Sequence, residues 1–372
     1  MRGEFSTMSI VKERCRAFLV VGFIILLLNG CASAPVIDYS GSPKKTYILA
    51  VDYSKVPQLV NKELLTLKVD VGFCSAVIVE ADSVTLNSRY KAGGVIFTTS
   101  AKNITITALN WTASGSGKAV KAYLFDNRNW AFSQTFDDGY LDVWENAKPI
   151  LDEKGWKAGL AVCATFAAAA WGPNMSWEQM ETLQKSGWDI FNHGYSHLHM
   201  TCDDYKIEFD ENNKEFKKRF PGYNVTQIVY PFEDSGFTEC RGFPPSYLLS
   251  AQKGKGSAVT YVDQPIEDLF KINRSGQYST DNSRWKEEAD AAAVETYPSW
   301  IIKITHHVYP GSKLGSDPAY STTQDALKDF YSYLDSKYGA RGDNSMWFAP
   351  AGEVMDYLLT RDNAVVSVRG IY

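Results

Sequence analysis

Histidine and cysteine are both scarce in this chain of 372 residues, which has five histidines and six cysteines. No two cysteines have the CxxC spacing of a zinc-thiolate site, which disfavours that class of site. Positive charge is not in excess either. The formal net charge is −5, so the chain has no electrostatic footprint for binding nucleic acid. The apolar run Ala17–Leu28, of about 12 residues, is too short to span a bilayer comfortably as a helix.

The composition is otherwise that of an ordinary globular protein. Hydrophobic residues make up 45% of the chain and charged residues 22%, so a core can form. Aromatic residues are plentiful at 13%, with 10 Trp and 21 Tyr. Such a surplus suits either a surface that stacks on sugars or an aromatic core, and composition does not separate the two.

Residues 1–31 are predicted to be an expression scar followed by a bacterial lipoprotein signal peptide. Met1–Thr7 is the scar, and basic residues then precede the apolar run Ala17–Leu28, which has the length of a signal h-region. The run ends in "LNGC", which resembles a lipoprotein box with Cys31 as the lipidated residue. A plain signal peptide with a coincidental cysteine is the alternative. Both interpretations predict an exported protein, and the first predicts a cell-envelope lipoprotein, periplasmic or surface-facing, held to the membrane through Cys31.

Export makes disulfides permissible in the mature chain. Once the cysteines of the leader and anchor are set aside, four remain, which allows three pairings. The sequence does not choose among these, but a bridge between Cys202 and Cys240 is favoured because both lie close to the motifs described below. The four are Cys74, Cys163, Cys202 and Cys240.

The remaining chain is predicted to divide into three parts. Residues 32–45 are small, polar and turn-rich, as expected of a tether. Residues 46–126 contain short segments rich in β-branched and aromatic residues, separated by glycine, serine and asparagine, which predicts a small all-β, sandwich-like module. Residues 127–372 alternate strand and helix patterns, which predicts an α/β barrel or a doubly wound sheet.

Two helix signals in this last part are specific. The segment 141–155 has an amphipathic pattern closed by Gly155, and a second helix opens with Ser176 as N-cap and Gln179 in a capping-box arrangement. A third helix is predicted over 322–339. In such folds chemistry gathers at the carboxyl ends of the strands, which is where "SQTFDDGY" places Asp137 and Asp138.

The adjacent aspartates and the histidines together form a candidate site. Asp137 and Asp138 alone are compatible with a surface turn, because Asp-Gly is common turn chemistry. All five histidines, however, fall at the ends of two predicted strands, in "FNHGYSHLH" and "IKITHH": His193, His197, His199, His306 and His307.

The spacing of the first two histidines points to a metal site. His193 and His197 are four residues apart, which puts them on one face if the segment turns helical after its strand. Two imidazoles with one carboxylate make a three-ligand set for a divalent metal such as zinc, with positions open for water and substrate. The alternative is a turn that carries solvated histidines.

The order and spacing of "TFDDGY", "HGYSH" and "ITHH" along residues 130–360 resemble the polysaccharide deacetylase family, the NodB-type carbohydrate esterases of family 4. The resemblance implies an irregular (β/α) barrel. It also implies the removal of acetyl groups from N-acetylglucosamine polymers or from O-acetylated xylan, so the expected partner is an acetylated polysaccharide or oligosaccharide.

The resemblance assigns a role to each residue of the candidate site. Asp138, His193 and His197 would hold a divalent metal, with zinc expected first and cobalt, nickel or manganese as alternatives. Asp137 would be the general base that deprotonates water, and His306 the acid that protonates the leaving amine or alcohol. The metal would neutralise one aspartate, so that its neighbour remains ionised.

Several positions depart from the family pattern or compete for a role. His307 is the rival of His306 for the acid, and His199 is expected near the site or at the surface rather than among the ligands. Gly194 stands where the family has Ser or Thr, and Val229 where it has an arginine that orients the base. Arg274 could supply that guanidinium from another strand, or form a surface salt bridge.

Two functions are therefore predicted. The first is a metal-dependent hydrolase, a polysaccharide deacetylase or acetylxylan esterase. The alternative is a carbohydrate-binding surface lipoprotein that keeps the fold but has weak or no turnover.

Overall fold

The computed structural model divides the chain into two compact units. One comprises Met1–Pro57, Lys62–Ala122 and Asn363–Tyr372, and the other Gln58–Asn61 and Tyr123–Asp362. Cys31, Cys74 and residues 32–44 of the predicted tether lie outside the described residues. In the described part of the chain no helix is long and apolar enough to cross a membrane. The structure describes residues 16–20, 23–27, 45–52, 54–60, 66–70, 75–80, 92–99, 105–108, 112–114, 124, 128–168, 174–253 and 258–371.

The strands described in the first unit pair antiparallel, as expected of the predicted all-β module. Lys45–Asp52 lies between Ala92–Thr99 and Val365–Ile371 in a three-stranded sheet. Val365 pairs with Asp52 and the register continues to Ile371 and Thr46. The sequence placed residues 363–372 with the α/β domain, and this pairing corrects that boundary. A hairpin joins Arg16–Val20 to Phe23–Leu27, and a four-stranded sheet has the order Ser75–Glu80, Thr66–Asp70, Thr105–Ala108, Thr112–Ser114.

The second unit is a nearly closed barrel of mainly parallel strands, as predicted. Ile272–Asn273 pairs in parallel with Ser250–Lys253, with Ile272 opposite Gln252. One residue later the strand Ser275–Gly276 begins, and it pairs with Ser299–Thr305 instead. Arg274 therefore lies where the barrel closes. Met346–Phe348 also pairs with Trp130–Phe136. The sheet order is Val259–Tyr261, Ser299–Thr305, Trp130–Phe136, Gly159–Val162, Asp189–Asn192, Gln227–Val229, Ser250–Lys253, Ile272–Asn273, with only the first of these antiparallel to its neighbour.

The helices cover the barrel, and the predicted caps are present. The Ser176 hydroxyl accepts the Gln179 N–H, while the Gln179 side chain accepts the Ser176 N–H, which confirms the capping box. The amphipathic segment 141–155 begins as a π-helical turn at Val143–Ala147 and ends before Gly155, whose φ is +69°. The α-helices are Lys148–Glu153, Ala164–Ala168, Trp177–Lys185, Tyr205–Arg219, Ser283–Ala293, Gln324–Lys337 and Ala351–Asn363.

Much of the aromatic surplus packs inside this unit. Every residue of Trp130–Phe136 and Ser299–Thr305 is buried, as expected of parallel strands covered on both faces. Phe136 stacks on Trp188 with ring centroids 5.9 Å apart, and both side chains are buried. Each fully buried apolar side chain of this size contributes roughly 2 kcal/mol or more through removal from water. The core interpretation of the aromatic residues therefore holds for these rings.

A second, smaller hydrophobic cluster contains the disulfide. Cys202 and Cys240 are bonded, which confirms the favoured pairing. Cys240 packs with Phe237 and Tyr205 beside the strand that carries Ile228. Among the described cysteines, Cys163 is free and buried.

Candidate metal and catalytic site

The two aspartates and the two histidine pairs come together at the carboxyl ends of neighbouring strands. Asp137 follows Trp130–Phe136, and its N–H donates to the carbonyl of Thr305 at 3.2 Å. Two strands further along the sheet, the N–H of His193 donates to the carbonyl of Val162 at 3.2 Å. Backbone pairing thus fixes where each motif leaves the barrel. Both aspartates line a cavity of about 920 Å³ together with His193, His197 and His306.

The backbone turns sharply at the aspartates. Asp138 and Gly139 both have left-handed conformations, with φ of +68° and +73°. A Cβ on Gly139 would lie 2.8 Å from the Cε of Met180, which would have to shift, and any side chain there would be strained by the left-handed backbone. Aspartate tolerates the left-handed region better than most residues, which lets Asp138 turn its carboxylate toward the histidines.

Asp138, His193 and His197 form a cluster suited to a metal ion. Asp138 Oδ1 lies 3.5 Å from His193 Nε2 and 3.4 Å from His197 Nε2, and the three ligand atoms lie within 4.8 Å of one another. That oxygen is buried and accepts no hydrogen bond from a described residue. A buried acceptor left in this way costs about 1–3 kcal/mol or more, a cost that a bound cation would remove. The donor set therefore fits a divalent metal such as zinc.

The histidines are held in the form that binds metal. His193 Nδ1 lies 2.8 Å from the carbonyl oxygen of Val229, which can only accept, so Nδ1 carries the proton and Nε2 faces Asp138 with a free lone pair. Burial lowers the pKa of His193 to about 3 and lowers the pKa of His197 as well. Val229 thus takes part through its backbone, although its side chain cannot replace the arginine of the family pattern.

The segment between the two histidines does not turn helical, which was the condition under which their spacing would place them on one face. The chain leaves the strand at Asn192 and forms a loop in which Gly194 has φ +78° and His197 has φ +57°. Glu208 holds this loop by accepting the N–H of Ser196 at 2.7 Å and its hydroxyl at 2.9 Å. The two imidazoles converge because of the loop rather than because of helical spacing.

The glycine at position 194 has a conformational and steric reason. A Cβ at this position would lie 2.7 Å from the Cε of Met200 and 3.2 Å from Glu208 Oε2, in a left-handed backbone that side chains rarely adopt. The Ser or Thr of the family pattern would therefore be strained in this loop.

Arg274 is not a surface residue. Its side chain is 1% exposed, and its Nη1 and Nη2 donate to Asp137 Oδ1 at 2.9 Å and Oδ2 at 3.0 Å. Nη1 also lies 3.3 Å from Thr135 Oγ1. The surface salt-bridge interpretation is thus wrong, and the guanidinium does reach the aspartate from another strand.

The neighbouring aspartates have opposite environments. Burial alone would raise the pKa of Asp137, but the charge of Arg274, followed by that of His193, outweighs it and lowers the pKa to about 2. Burial is also the largest influence on Asp138, and there it prevails, raising the pKa to about 6. Arg274 therefore keeps Asp137 ionised, whereas burial disfavours the charged form of Asp138, a cost that a bound cation would offset.

The last two histidines of the chain, His306 and His307, have different surroundings. His306 lines the cavity, and its Nε2 is 3.9 Å from Asp138 Oδ2. His307 points elsewhere: its Nδ1 is 2.7 Å from Asp142 Oδ2, and its ring stacks on Tyr140 at 3.6 Å. This geometry favours His306 as the acid, an assignment that stays a prediction.

His199 lies apart from the metal cluster. Its exposed ring stacks on Phe232 at a centroid distance of 3.8 Å, and its Nδ1 is 4.0 Å from Asp234 Oδ2. Phe232 has φ +54°, and Glu233 after it has φ +61°, so two consecutive side-chain-bearing residues are left-handed.

Sequence reasoning assigned no catalytic or metal-binding role to three of the aromatic residues that line the cavity. Phe232 is 50% exposed and Tyr320 is 54% exposed, whereas Tyr278 is largely covered. Of these, only Phe232 belongs to a motif, because Pro231–Phe232 retains the proline–aromatic pair that the family pattern has near its arginine. Tyr278 and Tyr320 belong to no motif, so only the fold brings them to the site.

Residues 127–236 match the family model described as polysaccharide deacetylase. This segment contains both "TFDDGY" and "HGYSH", so the predicted resemblance is confirmed where the two aspartates and the first two histidines lie. Over this segment the chain is similar to the polysaccharide deacetylases. No curated protein matches the chain.

Several solved structures are similar to the chain at low identity. The Xyl-CE4 domain of a multidomain xylanase from the hindgut metagenome of Trinervitermes trinervoides is 16% identical, with 61% of this chain and 89% of that one covered and a TM-score of 0.39. A family 4 acetyl xylan esterase from Clostridium thermocellum, in complex with a cobalt ion, is 17% identical, with 60% and 89% covered and a TM-score of 0.36. The peptidoglycan deacetylase PdaC from Bacillus subtilis is 13% identical, with 62% and 92% covered and a TM-score of 0.35.

Proposed function

We propose that the domain matched by the polysaccharide deacetylase family is a metal-dependent carbohydrate deacetylase, which hydrolyses O-acetyl or N-acetyl groups of a polysaccharide. One observation carries the proposal. Asp137 is ionised by the buried Arg274, while Asp138 beside it faces two neutral histidines and has an oxygen that no described donor satisfies. The adjacent residues thus have different roles: Asp137 is suited to act as the base and Asp138 as a metal ligand.

The proposed mechanism divides the work among four groups. A divalent cation held by Asp138, His193 and His197 would polarise the acetyl carbonyl and acidify a water molecule. Asp137 takes the proton from the attacking water, and Arg274 keeps the carboxylate oriented and ionised. His306 donates a proton to the sugar oxygen or nitrogen as the bond to the acetyl carbon breaks, and acetate leaves.

The binding-protein alternative loses its main support. That support was the valine at position 229, where the family pattern has an arginine that orients the base. Arg274 makes two charge-assisted hydrogen bonds to Asp137, so the base retains an orienting guanidinium despite that departure. We therefore place turnover ahead of simple binding.

The cellular setting is part of the proposal. A lipoprotein anchored through Cys31 would expose the domain in the cell envelope, and the Cys202–Cys240 disulfide is consistent with an oxidising compartment. Mass spectrometry of the processed N-terminus tests this. A diacylglyceryl-cysteine at position 31 is expected, whereas cleavage without lipid would support the plain signal peptide.

Acetate release is the experiment that tests the activity. The mature chain from residue 32, loaded with zinc, is compared on acetylated xylan and on chitooligosaccharides, with a chelator control. Chelator-sensitive release from xylan would indicate an acetylxylan esterase, and release from the amino sugar alone an N-deacetylase. Asp137→Asn should keep the metal but lose turnover. Release that persists at full rate in this variant would refute the assignment of the base.

A further inference from the structure

We infer that Tyr320 is a sugar-stacking residue that positions the acetylated sugar beside His306, an inference that rests on the proposed deacetylase function. The starting point is the identity of the leaving group. In deacetylation the leaving oxygen or nitrogen belongs to the sugar itself, so the sugar ring must lie against the acid. A proton donor acts within about 3 Å, which places the ring beside His306.

Tyr320 presents an exposed aromatic ring at that place. Its ring centroid is 5.4 Å from that of His306, it lines the cavity, and its side chain is 54% exposed. The carbonyl of Tyr320 accepts the N–H of His306 at 3.0 Å and lies 3.4 Å from Thr305 Oγ1. The position of the tyrosine is therefore tied through the backbone to that of the acid.

A second aromatic ring packs against the Tyr320 ring. Tyr278 meets it edge-on, with centroids 5.5 Å apart and an interplanar angle of 82°. Tyr278 in turn packs over Gly276, where a Cβ would lie 2.5 Å from the tyrosine ring. The two rings form a right-angled corner, which holds the Tyr320 ring in one orientation before a ligand arrives.

The face of a tyrosine ring suits a flat sugar surface. The face of the ring carries negative charge density and attracts the weakly positive C–H groups of a pyranose. A ring with equatorial substituents, as in β-linked gluco- or xylo-configured chains, presents such C–H groups on a flat face. Axial hydroxyl groups interrupt that face. The Tyr320 ring is therefore suited to stack on the flat C–H face of the sugars that the family resemblance implies.

A second exposed ring extends the site to a neighbouring sugar. Phe232 is 50% exposed, lines the same cavity and contacts His197 at a centroid distance of 4.4 Å. The cavity wall therefore offers a second aromatic surface for a neighbouring sugar of the chain that stacks on Tyr320. An oligosaccharide is therefore preferred over a monosaccharide.

Steady-state kinetics on the better acetylated oligosaccharide, together with calorimetric titration of its deacetylated hexasaccharide product, test the inference. Tyr320→Ala should raise KM and the product Kd by about tenfold or more, with a smaller change in kcat, while Tyr320→Phe should restore both. Tyr261→Ala is the matched control, since Tyr261 is 52% exposed and lies outside the cavity lining. Circular dichroism checks that each variant is folded.

The outcomes separate this inference from the proposed function. An active wild type whose KM and product Kd are unaltered in Tyr320→Ala would overturn it, as would equal losses in the Ala and Phe variants. If the wild type releases no acetate, the deacetylase proposal fails, and calorimetry then decides the stacking role alone. Product binding that Tyr320→Ala weakens would support it, and absence of binding by the wild type would overturn it.

Discussion

Arg274 and Asp137 form a buried, two-pronged ion pair across the closure of the barrel. The two guanidinium nitrogens lie 2.9 Å and 3.0 Å from the two carboxylate oxygens. Arg274 occupies the single residue between the strands Ile272–Asn273 and Ser275–Gly276. The arginine that orients the proposed base is thus supplied by the segment that closes the barrel. Position 229, where the family pattern places it, is a valine.

This pair predicts the effect of removing the guanidinium. Arg274→Met leaves Asp137 buried without its counter-charge, so unfolding should become easier by about 3–5 kcal/mol. The pKa of Asp137 should rise, which would move the acidic limb of the pH–rate profile upward and lower turnover by about 100-fold or more. Urea denaturation and a pH–rate profile measure both. Arg341→Met is the control, because Arg341 is exposed and pairs with Asp335 outside the cavity lining. An unshifted acidic limb would contradict the positioning role.

The metal cluster predicts a sharp difference among the histidines of one loop. His193→Ala and Asp138→Asn should each lose bound zinc, because each removes one of three ligands. His199→Ala should bind zinc as the wild type does, since its ring stacks on Phe232 instead. Metal content after dialysis, measured by mass spectrometry of the element, distinguishes the variants. Normal zinc content in His193→Ala would remove this histidine from the ligand set.

The surroundings of His306 and His307 predict different kinetic effects. His306→Ala should slow hydrolysis of a sugar acetate by about 100-fold, yet slow an activated aryl acetate much less, because a good leaving group needs little protonation. His307→Ala loses the contacts to Asp142 and Tyr140, so its effect should be similar for both substrates. If His307→Ala alone showed the leaving-group dependence, the acid would be His307.

A buried carboxyl away from the site predicts a pH dependence of stability. Asp189 Oδ2 accepts the N–H groups of Gly352 and Glu353 at the start of the last helix. Burial raises the pKa of Asp189 from 3.8 to about 6, so the folded protein holds this proton more tightly than the unfolded chain does. Stability from this group is therefore present below about pH 4 and is lost as the pH rises through 6.

Asp189→Asn tests this directly. Relative to the wild type, the variant should gain about 1 kcal/mol in its free energy of unfolding between pH 5 and pH 7.5. Urea denaturation at the two pH values provides the measurement, in metal-free protein. The comparison must be made against the wild type at each pH, because His193, whose pKa is lowered, titrates in the opposite sense. An equal difference at both pH values would contradict the assignment.

The sequence predicted the parts of the fold that depend on local pattern. Alternating strand and helix signals predicted the barrel, and the capping box of Ser176 and Gln179 marked a helix start. Other boundaries depended on distant pairing. The final strand, Val365–Ile371, reads locally like the end of the α/β domain, but it pairs with Lys45–Asp52, far away in the sequence.

In the candidate site too, some features follow from the local sequence and others from distant contacts. By itself the sequence determined which residues could bind a metal or move protons, because the "TFDDGY" and "HGYSH" motifs concentrate rare, chemically distinctive side chains in short segments. Tertiary structure alone decided that Arg274 reaches Asp137, that His306 rather than His307 faces the cavity, and that Tyr320 stands beside it. The physical reason is that these relationships join residues from separate strand ends and loops. Their distances are set by the closure of the barrel and not by spacing along the chain.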